Sequence, residues 1–99
     1  MSDQTVLRMG EMRALLGKSD DLHAFIYRVI VPSLQTTEGC QGIDVWQDAS
    51  DPLRYLIVEY WDSVEAHRAS VKEIDPEDIK VIMELLDDSP RGNYYVPLA

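Results

Sequence analysis

Cysteine is almost missing from this chain of 99 residues, Cys40 being the one it has. A lone thiol closes no intrachain disulfide, so a reducing cytoplasm is the expected compartment. Cations are scarce as well. Nine Lys and Arg stand against eighteen Asp and Glu, a net charge of −9, which disfavours nucleic acid and anionic membrane surfaces as partners. No apolar run approaches the ~20 residues that a membrane span needs. The opening MSDQTVLRMGEM lacks the charged and then apolar order of a secretory leader. His23 and His67 lie far apart with no cysteine beside them, so no metal site is expected. There is no dinucleotide-binding glycine motif either. Repeats and low-complexity segments are absent from the sequence. What the chain does have is 45% apolar residues, enough for one modest core in a single domain over residues 1–99.

The most informative stretch is RYLIVEYWDSVEAHRAS, from Arg54 to Ser70. It reads as a strand that drives directly into a helix. Leu56, Val58 and Tyr60 alternate with Tyr55, Ile57 and Trp61, so both faces of the strand need cover. After Trp61, Asp62-Ser63-Val64-Glu65 has capping-box spacing. Val64, His67, Val71 and Ile74 then recur at helical spacing, which puts His67 inside the apolar stripe.

Around this unit the other elements fall in order. Residues 5–14 form a first strand, in which Gly10 marks a bulge or a close approach to the backbone. Arg8 and Arg13 on it either offer cations to a cleft or are solvated. A helix begins at Ser19 or Asp20, carries Leu22, Phe25, Ile26 and Val29 as its core stripe, and should kink or finish at Pro32. His23 belongs on its surface. Glycines 39 and 42 break the chain before a second strand at Ile43–Gln47. Cys40 has no basic neighbour to activate it and reads as a small packing residue. The turn at Ala49–Pro52 joins this strand to the third as a hairpin. Asp75-Pro76 starts another helix, and residues 93–98 form a last strand that Pro97 assigns to an edge or an exit.

Strand, helix, strand, strand, helix, helix, strand is the split β-α-β, ferredoxin-like order, an α+β fold with an antiparallel sheet and its helices on one face. The Leu56/Val58/Tyr60 face is then left without cover. A homodimer with sheets packed face to face is the expected remedy.

Two segments give the chain a family likeness. VPSLQTTEGCQGIDVWQDASDP, a proline-bearing helix running through Glu38-Gly39-Cys40 into the second strand, is one of them. Tyr55-x-x-x-Glu59-x-Trp61-x-Ser63 followed by His67-x-x-Ser70 is the other. Together they resemble the antibiotic biosynthesis monooxygenase domains of the dimeric α+β barrel superfamily. The resemblance implies a cavity between sheet and helices. In enzymatic members it holds a flat phenol, quinol or polyketide-like aromatic that reacts with dioxygen without flavin, haem or metal. An electron-rich phenolate can reduce dioxygen itself, so the protein has to deprotonate it, hold it and keep water away.

Carried over residue by residue, Trp61 matches the family's pocket tryptophan. His67 falls where polyketide-oxidising members have a tyrosine, or, with a gap of three residues, on the family's histidine. Those members carry an asparagine where this chain has Ile57, a departure that weakens the polyketide-type mechanism. Haem-degrading relatives need an asparagine on the first strand, and VLRMGEMR has none.

Two functions follow as expectations. In a cofactor-independent monooxygenase, His67 is the base and Trp61 the pocket donor. Tyr55 and Ile57 line the pocket, Glu59 bonds a pocket donor, and Arg8 anchors substrate oxygens. The alternative is a ligand-binding, accessory, isomerase or cyclase domain on the same scaffold, with His67 and Trp61 as packed core residues.

Overall fold

The computed structural model describes residues 5–98. β1 (Val6–Arg13) and β3 (Arg54–Trp61) pair antiparallel along their whole length, from Val6 opposite Trp61 to Arg13 opposite Arg54. β2 (Cys40–Gln47) flanks β3 and β4 (Arg91–Tyr95) flanks β1, giving a four-stranded antiparallel sheet of order β2-β3-β1-β4. That is the ferredoxin-like order expected, and the helices lie on one face.

The first helix is distorted just before Pro32 and finishes within that residue's turn, at Gln35. α1 (Ser19–Phe25) passes without a break into a π-helical segment, Ile26–Ile30, and on into α2 (Val31–Gln35). The Val31 N–H donates to the Ile26 carbonyl, five residues back. This widened turn stands just before Pro32, which lacks an N–H and would crowd the carbonyl one turn back. Widening the ladder absorbs both faults, so the helix carries through Pro32 to Gln35. β2 likewise starts earlier than the glycines suggest, at Cys40, with a bulge between Cys40 and Gly42 taking up the irregularity.

α3 (Val64–Val71) begins at Ser63, whose hydroxyl accepts from the Ala66 N–H at 3.0 Å. The expected Asp62/Glu65 box does not form. Asp62 is engaged elsewhere, its carboxylate accepting from Gln41 Nε2 at 2.7 Å and its N–H donating to the Gly39 carbonyl at 2.9 Å. α3 stops at Val71, leaving Val71 and Ile74 exposed instead of continuing the stripe. α4 (Pro76–Leu85) is capped by Asp75, which accepts from the Glu77 N–H at 2.9 Å.

Residues directly opposite one another share a face. Tyr55, Ile57, Glu59 and Trp61 therefore face the helices together with Arg8, Gly10 and Met12 of β1. Beneath α1 and the π-helical segment, Ala14, Leu22, Ile26, Tyr55, Ile57 and Leu86 form the apolar core. Leu56, Val58 and Tyr60 point the other way, onto a face that no helix covers, beside Leu7, Met9 and Trp46. A cavity of about 520 Å³ opens on that face, lined by Leu7, Tyr60 and Tyr95 among others. Arg13 has a structural task, bonding Asp87 at 2.6 Å and Asp51 at 3.4 Å. Among the described residues no helix is long and apolar enough to cross a membrane.

Gly39 seats α3 against the sheet. It has φ +88°, and a Cβ there would stand 2.8 Å from the Ala66 Cβ. Gly39→Ala is expected to lower stability by about 1–3 kcal/mol, read as an earlier midpoint in urea unfolding; an unchanged midpoint would show that α3 can shift freely.

Candidate active site

The apolar core occupies one end of the helix-covered face. At the other end, under α3, the sheet carries polar side chains. Glu59 stands two residues before Trp61 on the same strand, so both point under the helix. The Trp61 indole Nε1 donates to Glu59 Oε1 at 2.8 Å, and Trp61 is fully buried. α3 lowers His67 onto this pair. The His67 ring meets that of Trp61 edge-on at 5.3 Å between centroids, and its Nε2 lies 3.9 Å from Glu59 Oε1. Its Nδ1 is 2.6 Å from the hydroxyl of Tyr94 on β4.

Tyr94 gets there through the sheet order. β4 lies against β1 with Tyr94 directly opposite Arg8, and the Arg8 Cζ sits 4.9 Å from the centre of the Tyr94 ring. Arg68 of α3 approaches the same ring at 5.7 Å, so two guanidinium groups flank this phenol.

Burial sets the charge states. It drives the Glu59 carboxyl above the ordinary carboxylate range, against the Trp61 hydrogen bond and the positive charge of Arg8. Burial pulls His67 down to about 4, helped by the charges of Arg8 and Arg68. His67 is therefore neutral at physiological pH, and its approach to Glu59 is not an ion pair. The tautomer that suits both neighbours carries the proton on Nε2, facing the carboxyl, and accepts from the Tyr94 hydroxyl at Nδ1. Burial also raises the Cys40 thiol, which has the Glu59 charge nearby. That environment disfavours the thiolate.

Of the residues singled out from sequence, Arg8, Glu59, Trp61 and His67 come together here. Tyr55 does not. Its hydroxyl is 2.8 Å from that of Ser19 and donates to the Ser19 carbonyl at 3.2 Å, in the apolar core at the far end of the strand. Ile57 is also a core residue, lying between the two regions. His67 bonds a side chain and not backbone, as a packed core histidine was expected to do. Tyr94 escaped the sequence reading because its place depends on β4 joining the sheet next to β1; only that pairing sets it against Arg8. Among the described residues no group of three or more His, Cys, Asp or Glu could hold a metal ion.

A family model described as antibiotic biosynthesis monooxygenase matches residues 5–77 of the chain. A protein of Chloroflexus aurantiacus, named as a candidate antibiotic biosynthesis monooxygenase, is 31% identical over 96% of this chain and 94% of its own, with a TM-score of 0.72. One from Bordetella bronchiseptica, named in the same way, is 18% identical over 97% and 99%, with a TM-score of 0.84. Rv0793 from Mycobacterium tuberculosis is 16% identical over 96% of each chain, with a TM-score of 0.81. These last two likenesses concern the fold alone. No protein of curated function matches the chain.

The charge state of His67 has a pH signature. The unfolded chain protonates this group as pH falls through 6.5, whereas the folded chain does so only near 4. Between those values the unfolded state holds a proton that the native state lacks, so the stability tied to His67 falls as pH drops through that window and levels off below it. Its imidazole NMR resonance is expected to keep its neutral position down to about pH 5 and to titrate near 4. A midpoint near 6.5 would place His67 in water and not beneath α3.

Proposed function

The chain belongs to the antibiotic biosynthesis monooxygenase family, and on that premise we propose that it is a cofactor-independent monooxygenase. Its substrate is a small phenol, quinol or polyketide-like aromatic that reacts with dioxygen. The observation that carries this reading is the neutral His67 held between the Tyr94 hydroxyl and the Glu59 carboxyl, beside buried Trp61.

The chemistry closes without a cofactor. A quinol and one dioxygen give a hydroxyquinone and water, the ring supplying all four electrons. One C–O bond forms, the O–O bond breaks, and the second oxygen leaves as water. The protein's tasks are deprotonation, positioning and exclusion of water. His67 Nδ1 already accepts from Tyr94, so the substrate proton reaches it through that hydroxyl. Tyr94 takes the proton from the substrate while handing its own to Nδ1. A base held near 4 is weak at rest. The anionic substrate oxygen forming beside Arg8 offsets the guanidinium charge that suppresses His67, and the histidine becomes basic as the phenolate appears. Glu59, 3.9 Å from Nε2, opposes the positive charge that forms on the ring.

The functional unit proposed is a homodimer closed through Leu56, Val58 and Tyr60 and working in a reducing cytoplasm. An uncovered sheet face bearing these residues, Leu7, Met9 and the exposed Trp46 supports it. Trp46→Asp, at an exposed position on that face, is expected to convert a dimer to monomer in analytical ultracentrifugation; a wild type that sediments as a monomer would remove the dimer.

Oxygen uptake with a panel of hydroxyquinols tests the activity. His67→Ala and Tyr94→Phe are each expected to lose about 10²–10⁴-fold in turnover, and equal turnover in all three proteins would take this pair out of the mechanism. Substrate consumption without oxygen uptake would instead favour an isomerase or cyclase, a second reading supported by the same His67–Tyr94 bond, since such an enzyme needs the same base.

A further inference from the structure

Gly10 has no account in the fold. A glycine inside a strand weakens it, and the usual reasons for keeping one are a bulge, a positive φ or a close approach. β1 has no bulge at this point, since both of its ladders run through Gly10 in unbroken register, opposite Ile57 on one side and Gly92 on the other. The positive-φ glycines among the described residues are Gly17 and Gly39. Nor does the protein itself crowd the position. Chain neighbours apart, a Cβ there would meet only two carbonyl oxygens of the sheet, those of Arg91 at 3.8 Å and Ile57 at 3.9 Å, which is ordinary contact. No side chain from the helices comes down onto it.

Gly92 differs in one respect. A Cβ on it would overlap the Arg8 guanidinium, with Nε 2.8 Å away. The missing side chain at 92 is what lets Arg8 lie close against the sheet. The two glycines face the helices side by side on adjacent strands, next to Arg8 and Tyr94. Arg8 therefore covers Gly92, and the open backbone is that of Gly10 beside it. Arg8 is half-buried and, among the described residues, its guanidinium makes no ion pair or side-chain hydrogen bond. Its planar fork of donors is suited to a carboxylate.

We propose that the open backbone at Gly10 carries a planar aromatic carboxylate, its ring lying beside Ile57, its carboxylate on the Arg8 guanidinium that covers Gly92, and its phenolic oxygen at Tyr94. This rests on the site described above and narrows its substrate to hydroxylated aromatic acids. Glu59 is the facing acidic group, and its bond from Trp61 turns it towards the indole and away from the incoming carboxylate.

The test is calorimetric titration of the intact protein with 2,5-dihydroxybenzoate and with hydroquinone, the same ring without its carboxylate. Wild type is expected to bind the acid at least about tenfold more tightly. Arg8→Gln should erase that difference, weakening the acid far more than hydroquinone. Gly10→Ala should weaken both ligands at an equal or higher melting temperature, because the added methyl covers that backbone without touching the fold. Gly10→Val, a better strand former with a larger side chain, should weaken them further. The proposal is overturned if the acid binds no better than hydroquinone, if neither binds, or if folded Gly10→Ala binds both as wild type does. Tight acid binding without oxygen uptake would leave this site standing and remove the oxygenase reading. Oxygen uptake with wild-type affinity in Gly10→Ala would do the reverse.

Discussion

One carboxyl group governs the arrangement beneath α3. Glu59 projects from the central strand onto a face otherwise occupied by Tyr55, Ile57 and Trp61, with its side chain 15% exposed. A carboxylate in such a place costs several kcal/mol unless it is bonded and neutralised. The alternation of β3 supplies the first relief, because a tryptophan two residues on must point the same way and can turn its N–H back. His67, Arg8 and Cys40 all stand within reach of its charge, and its own protonation is displaced upward by burial. A fold seeking stability alone would place a leucine there.

The sheet divides its helix-covered face into an apolar half and a polar half. Tyr55 and Ile57 anchor the first half under α1, the π-helical segment and α4. Glu59 and Trp61 belong to the second. Both halves are carried by one strand hydrogen-bonded on both sides, so Glu59 and Trp61 are placed by the stiffest element in the molecule. α3 contributes His67 as a separate piece, seated by the Ser63 cap and the close approach of Gly39.

What could be read from the chain was whatever local periodicity controls. The switch from two-residue to helical spacing at Trp61 located β3 and α3 and placed His67 in the buried stripe. The apolar alternation on both sides of β3 gave the helix-covered and the open face correctly. Pro32 marks the turn in which the helix finishes, at Gln35, but one residue's preference does not reveal the widened turn that precedes it. Tyr55 was assigned to the pocket on parity alone. Strand parity gives the face but not the position along it, and the core claims that end of β3. Tyr94 could not be found by parity at all. Its partner lies 27 positions away and meets it only when β4 docks beside β1.

The measurement that bears most directly on the central claim is the unfolding midpoint of Glu59→Gln in urea above neutral pH, taken together with its oxygen uptake. The glutamine keeps an acceptor for the Trp61 indole and removes the buried charge. If the cluster exists for chemistry, the variant is more stable than wild type and turns over little or no substrate. If it comes out less stable with turnover intact, Glu59 belongs to the framework, and the polar cluster is not a catalytic centre.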